Sequence, residues 1–257
     1  MIRRAVPVFL VLLVAGLGLG RLAEPAWAEQ VRRQPALQWR SLEGAAGQGV
    51  VLGLLGGFRA LAADLLWLRA NAAWERCDSV GTQAALELVT AVDPRPVAFW
   101  VNGARMIGHD MPYWRIDRAG GEGAVPAGVA ERVFAAQARA AIAYLEKGFA
   151  NHPDEPLLHI EVANLQLQRL GDLPGATEHY RLAARQPAAP FYAARVYAEL
   201  LRRGGRDREA LEHLVALHPT LPRENPFALA DEVLWRIRGL EERLALPAAE
   251  RYQPGRQ

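Results

Sequence analysis

The feature that most constrains the fold is a series of alanines at regular intervals. Ala141, Ala176 and Ala210 are separated by 35 and 34 residues, and a large residue follows each of them four positions later. A proline comes soon after each alanine, as Pro187 does after Ala176. A period of roughly 34 residues is typical of helix–turn–helix repeats, whose units stack because each leaves an apolar face uncovered. The interval therefore predicts an all-α array of repeated helix pairs.

Composition excludes several other classes of protein. Hydrophobic residues make up 51% of the chain and charged residues 23%, so the chain can bury a core. The net charge is only +2, and no basic patch alternates with aromatic residues as single-strand binding requires. The single cysteine, Cys77, permits neither an intrachain disulfide nor a thiolate metal cluster, and the histidines lack metal-ligand spacing. We therefore expect no nucleic-acid partner, no metal and no cofactor.

The N-terminal segment predicts export. Arg3 and Arg4 precede an uncharged, largely apolar run over residues 5–20, and Ala26-Trp27-Ala28 offers a small-x-small cleavage site. The arginines would hold the N-terminus in the cytoplasm while the rest of the chain crosses the membrane. Residues 1–28 are accordingly expected to be a signal peptide or a membrane anchor, both alternatives being open, and residues 29–56 a tether. The expected location is the periplasm, with a tether to the inner membrane.

The sequence after the tether predicts repeats that are followed by a C-terminal cap. A soluble helix is expected to begin near Gly57, because Arg59 and Asp64 interrupt the apolar run and weaken the alternative of a second membrane span. The apolar residues that identify this helix by their spacing are Phe58, Leu61, Leu65, Leu68 and Ala72. Residues 57–222 are assigned to repeats. In residues 223–257, Asn225-Pro226 predicts the N-terminus of a capping helix, which a tail follows.

Residues 108–128 interrupt the helical pattern. They contain several glycines together with Pro112 and Pro126, and we expect them to form an irregular insertion. Loops of this length in compact domains are usually functional or mobile.

Two consecutive segments carry a detailed pattern of small and large residues. A small residue and a large residue four positions later are followed by a closing proline, with a glycine at the preceding turn. The first segment reads Ile160, Asn164, Gly171, Ala176, Tyr180, Ala183 and Pro187, and the second reads Ala194, Ala198, Gly205, Ala210, Leu214, Leu217 and Pro219. This pattern resembles the tetratricopeptide repeat (TPR) family over roughly residues 63–220. Asn164 departs from it, since a small apolar residue is usual there.

The resemblance implies a right-handed α-solenoid with an N-terminal signal or anchor helix and a C-terminal capping helix. The stretch from Gly56 to Arg69 also looks like that of uncharacterised bacterial exported repeat proteins. In TPR domains the first helix of each repeat lines a concave groove that binds peptides. Carried over to this chain, the groove residues are Asn102, Arg105, Leu158, Glu161, Leu165, Gln168, Arg169, Tyr192, Arg195, Glu199 and Arg202.

The insertion supplies further candidates for partner contact. They are His109, Tyr113, Trp114 and Arg115, because aromatic and arginine side chains are enriched where proteins bind each other. The resemblance therefore implies an extracytoplasmic scaffold that binds a protein or peptide partner in a cell-envelope assembly or export system, with no catalytic residues. The alternative is an enzyme or enzyme accessory in which His109 and Asp110 act as base and orienter, although no obvious nucleophile accompanies them.

Overall fold

The computed structural model describes residues 58–121 and 123–255. The expected signal or anchor segment and nearly all of the tether lie outside this part of the chain. All regular secondary structure within it is helical, which confirms the all-α prediction. Among the described helices, none is both long and apolar enough to cross a membrane.

The chain divides into two compact units, one ending at Phe99 and one beginning at Trp100. The first contains α1 (Arg59–Glu75), α2 (Ser79–Val92) and the first turn of α3 (Val97–Arg105). Asp78 caps α2 because its carboxylate accepts a hydrogen bond from the backbone N–H of Gly81 at 2.9 Å.

The core of the first unit forms between α1 and α2. Ala63, Val89 and Phe99 are buried together, and the rings of Trp67 and Phe99 stack with their centroids 5.2 Å apart. The sequence predicted this helix from a different face of α1. The residues of that other face, Phe58, Leu61, Leu65 and Leu68, are exposed, so α1 is apolar on both sides.

The second unit is a succession of helices in which each packs mainly against its predecessor and its successor. The bounds are α4 (Met111–Arg118), α5 (Ala127–Phe149), α6 (Pro156–Leu165), α7 (Leu173–Ala184), α8 (Phe191–Arg203), α9 (Asp207–Leu217) and α10 (Ala230–Arg243). A π-helical turn over Met106–Asp110 joins α3 to α4, and a second one, Gln166–Leu170, extends α6.

The alanine series lies where these helices meet. Ala141, Ala176 and Ala210 are each 0% exposed, on α5, α7 and α9. Asn164, which departs from the repeat pattern, accepts a hydrogen bond from the hydroxyl of Tyr180 at 2.8 Å. The amide therefore satisfies a buried tyrosine of the neighbouring helix, which a small apolar residue could not do.

Residues 108–128 are not the irregular insertion that we expected. The chain stays helical through the first π turn and α4, and of the described residues in this stretch only 119–121 and 123–126 leave the helical conformation. Met111, Pro112 and Ile116 are buried. Because the chain is already helical before Pro112, the missing N–H and the ring of this proline interrupt the α-helical hydrogen bonds, directly after the π turn. The turn in this stretch follows α4, where Gly120 and Gly121 have positive φ angles of 103° and 88°.

The expected start of the capping helix at Asn225-Pro226 is also wrong. The side chain of Asn225 accepts a hydrogen bond from the backbone N–H of Phe227 at 3.0 Å, which makes these residues a turn. The helix itself, α10, begins at Ala230. Its face Val233, Ile237 and Leu240 covers the apolar surface of α9, as expected of a cap.

Candidate partner-binding site

A buried carboxylate lies at the centre of the site. Glu161 of α6 has only 2% of its side chain exposed. Nε of Arg105, on α3, donates a hydrogen bond to its Oε2 at 2.9 Å. Nε2 of His109 lies 3.6 Å from its Oε1. Because a buried carboxylate is unfavourable unless it is paired, Glu161 holds the side chains of Arg105 and His109 beside it.

The two π turns bring further groups to this point. His109 lies in the first turn and Arg169 in the second, and Nε of Arg169 donates to Nδ1 of His109 at 3.4 Å. The first π turn packs closely against the end of α6 at Gly108, where an added Cβ would lie only 2.5 Å from Cδ2 of Leu165. Single π-helical turns inside α-helices are uncommon and frequently occur at functional sites.

Aromatic side chains border the arginine of the second π turn. The guanidinium of Arg169 lies 4.7 Å from the ring centroid of Phe134 and 5.4 Å from that of Tyr113, within the range of cation–π attraction. Tyr113 meets Phe134 edge-on and keeps 43% of its surface exposed. Phe134 was not among the sequence candidates, because nothing in its local pattern separates it from an ordinary core residue.

Tyr192 of α8 lies near the same charges. Burial raises the pKa of its phenol, the charge of Arg105 lowers that pKa, and the charge of Glu161 raises it. Its side chain is 40% exposed. Helix α8 thus places Tyr192 within electrostatic reach of the ion pair between α3 and α6. We call Arg105, His109, Tyr113, Glu161, Arg169 and Tyr192 the Glu161 cluster.

Other residues expected in the groove have local structural partners. Nη1 of Arg195 donates to the backbone carbonyl of Ala228 at 2.9 Å, which holds the turn before α10, and burial lowers the pKa of this guanidinium. Glu199 and Arg202 form an ion pair at 2.7 Å between successive turns of α8. Three further candidates remain on the surface: Asn102 and Arg115 are exposed, and Trp114 is half-buried.

Among the described residues, no group of three or more histidine, cysteine, aspartate or glutamate side chains is placed to hold a metal ion. The chain matches no protein-family model, and no curated protein is significantly similar to it.

Proposed function

We propose that this protein is an extracytoplasmic scaffold of TPR-like repeats that binds a protein partner in a cell-envelope assembly or export system. The N-terminal segment would direct export and provide a membrane tether, and the repeats would stack as a right-handed solenoid. The observation that carries the proposal is the ion pair between Arg105 and Glu161 at 2.9 Å, with Tyr192 within electrostatic reach of both charges. In the repeat pattern these residues belong to the first helices of three successive repeats, and those are the helices that line a TPR groove.

The buried carboxylate suits such a surface because it holds the exposed groups in place before a partner arrives. Arg105 keeps 54% of its side chain exposed while Glu161 fixes its guanidinium. A side chain that is already ordered loses less conformational entropy on binding. Arginine and tyrosine are also the residues that most often dominate binding energy at protein interfaces. The cluster therefore offers a preformed polar and aromatic contact surface.

The test is a crosslinked pull-down of the tagged full-length protein from its native membranes. We expect a stoichiometric envelope partner that is lost with Tyr192→Ala and with Arg105→Ala. The matched control is Arg206→Ala, which removes an exposed arginine that pairs with Glu209 at the start of α9. Thermal unfolding of each variant establishes that its fold persists.

A partner that binds all four proteins equally would place the contact elsewhere on the molecule. The absence of any stoichiometric partner, with the wild-type protein intact, would overturn the scaffold proposal.

One observation favours the alternative of an enzyme or enzyme accessory. The imidazole of His109 turns Nε2 toward the carboxylate of Glu161 and accepts a hydrogen bond from Arg169 on Nδ1, so Glu161 could orient the ring as a base once Arg169 moves away and frees Nδ1 to accept a proton. On this hypothesis His109→Ala abolishes turnover of a small substrate while the partner-binding surface stays intact. A partner lost with Tyr192→Ala but retained with His109→Ala, together with an activity lost only with His109→Ala, would support catalysis.

A further inference from the structure

Helix α1 is apolar on two opposite faces. One face packs against α2 through Ala63, Ala70 and Ala73, which are 0–4% exposed. The other carries a row of large apolar side chains whose exposed fractions lie between 39% and 63%. We call this row, completed by the half-buried Ala72, the α1 seam: Phe58, Leu61, Leu65, Leu68 and Ala72. An exposed row of large apolar side chains usually marks a surface that another molecule or segment contacts.

The spacing within the seam indicates what kind of surface covers it. Its members follow one another at alternating intervals of 3 and 4 residues, from Phe58 to Ala72. This is the a/d spacing of a helix that packs lengthwise against another helix. The same spacing continues backward in the sequence to Leu54 and Val51. Two exposed charges flank the seam: Asp64 at a g position and Arg69 at the following e position.

We propose that the α1 seam docks in parallel against the α1 seam of a second copy of this chain. In a parallel helix pair, a g residue of one helix faces the e residue of the next heptad on the other. Asp64 of each copy would then meet Arg69 of the other, and a two-fold axis would form both pairs at once. An antiparallel pair would instead set g positions against g positions, where Asp64 meets no arginine. The charges therefore favour a second copy that is aligned in parallel.

The seam alone predicts a weak dimer. Five side chains from each copy cover less than the roughly 1,200 Å² of a stable standard-size interface. Two chains tethered to one membrane meet at a much higher effective concentration, so the proposed anchor would strengthen the pairing. Pairing through the α1 seam requires neither the Glu161 cluster nor its partner.

The experiment is disulfide trapping of the full-length chain in its native membranes. Leu68→Cys is introduced beside Cys77→Ser, so that the only thiol lies at a d position, which faces its counterpart in a parallel pair. The matched control is Val80→Cys in the same background, because Val80 is 81% exposed and belongs to α2. We expect a covalent dimer on a non-reducing gel with Leu68→Cys and severalfold less with Val80→Cys.

Charge reversal then distinguishes a specific pair from random collision. Asp64→Arg, added to the Leu68→Cys chain, places arginine against Arg69 and should lower the crosslinking yield severalfold. Adding Arg69→Asp as well restores opposite charges and should recover the yield. Equal yields from Leu68→Cys and Val80→Cys, or no effect of reversal, would overturn the proposal. A second measurement tests whether the seam faces lipid instead. A bimane fluorophore is attached to the Leu68→Cys thiol, and lipid vesicles are added. A blue shift of its emission, for a chain that forms no covalent dimer in the trapping experiment, would also overturn the proposal.

Discussion

At the scale of single residues, the smallest side chains decide how closely the helices of the second unit approach. Ala141 is completely buried and lies beside Gly108, where an added Cβ would meet the alanine Cβ at 3.1 Å and Leu165 at 2.5 Å. Gly148 is similar, since an added Cβ would lie 3.0 Å from the ring of Trp100. These positions set the separation of α5 from α3 and α6, and a larger residue there must move its neighbours.

Gly108→Ala should therefore destabilise the protein by about 1–3 kcal/mol, because the extra methyl group overpacks a site that closes on the buried side chain of Leu165. The matched control is Gly239→Ala in α10, whose added methyl meets no described atom within 4 Å. That change should stabilise by roughly 0.5–1 kcal/mol through helix propensity. Denaturant unfolding of both variants measures the difference, and equal effects would contradict the close approach.

Asn164 and Tyr180 should behave as a coupled pair. Asn164→Ala removes the acceptor of a buried hydroxyl and should cost about 1–3 kcal/mol of unfolding free energy. Tyr180→Phe removes the donor itself. Because the two groups satisfy each other, the double variant should lose less stability than the sum of the two single variants. A double-mutant cycle by denaturant unfolding checks this, and additive losses would show that the hydrogen bond contributes nothing.

At the scale of helices, ends that carry a local signal could be predicted from the sequence. The pair Gly204-Gly205 is a helix stop signal in the sequence, and α8 ends at Arg203, directly before it. The start of α10 could not be predicted in this way. Asn225-Pro226 is a good N-cap signal, but the amide caps a turn instead. Which face of α1 is buried could not be predicted either, because both faces carry apolar residues and only the packing against α2 decides between them.

The stabilisation of a helix N-terminus by a capping side chain can be tested at Asp172. Its carboxylate accepts a hydrogen bond from the backbone N–H of Gly175 at 2.9 Å, at the start of α7. Asp172→Ala should cost about 0.5–2 kcal/mol, whereas Asp172→Asn keeps an acceptor and should cost much less. Thermal or denaturant unfolding compares them. An equal loss from both variants would show that the charge of Asp172, and not its capping hydrogen bond, stabilises the helix.

At the scale of the whole molecule, the all-α class is confirmed for the described residues, while the right-handed solenoid and the exported setting stay predictions. Arg105, Glu161 and Tyr192 could be selected from the repeat register alone. Their connection to His109 and Arg169 could not, because it requires two π turns for which the sequence offers no recognised signal. The sequence thus predicts which helices supply the candidate site, and tertiary packing determines which side chains meet there.

Stability should also depend on pH, because four histidines resist protonation in the folded chain. Burial is the largest cause that lowers the pKa of His159, His179, His213 and His218; Nδ1 of His159 and Nδ1 of His179 lie 3.1 Å apart. The unfolded chain binds these protons near the ordinary pKa of about 6.5, so it binds more of them below that pH than the folded chain does. The free energy of unfolding should therefore have its full value above about pH 6.5 and should decrease as the pH falls below this value.

Denaturant unfolding at pH 7.5 and pH 5.5 measures this dependence. The midpoint should be lower at pH 5.5, and the difference should shrink when His159→Gln and His179→Gln are combined. Nearby carboxylates, among them Glu178, oppose the effect by favouring the protonated rings. A midpoint that is unchanged, or higher at pH 5.5, would contradict the stated direction of the pKa changes.

The π turn over Met106–Asp110 also has a consequence for how this chain tolerates insertions and deletions. A π turn holds one residue more than the corresponding α-helical bonding pattern. Because the extra residue is taken up within the turn, the residues that follow keep nearly the direction that they would have in an uninterrupted α-helix. Deleting one residue there would therefore leave a continuous α-helix from Val97 onward that still carries Tyr113 on the same face. Homologues one residue shorter at this point would keep that face and change the position of His109, which lies within the turn.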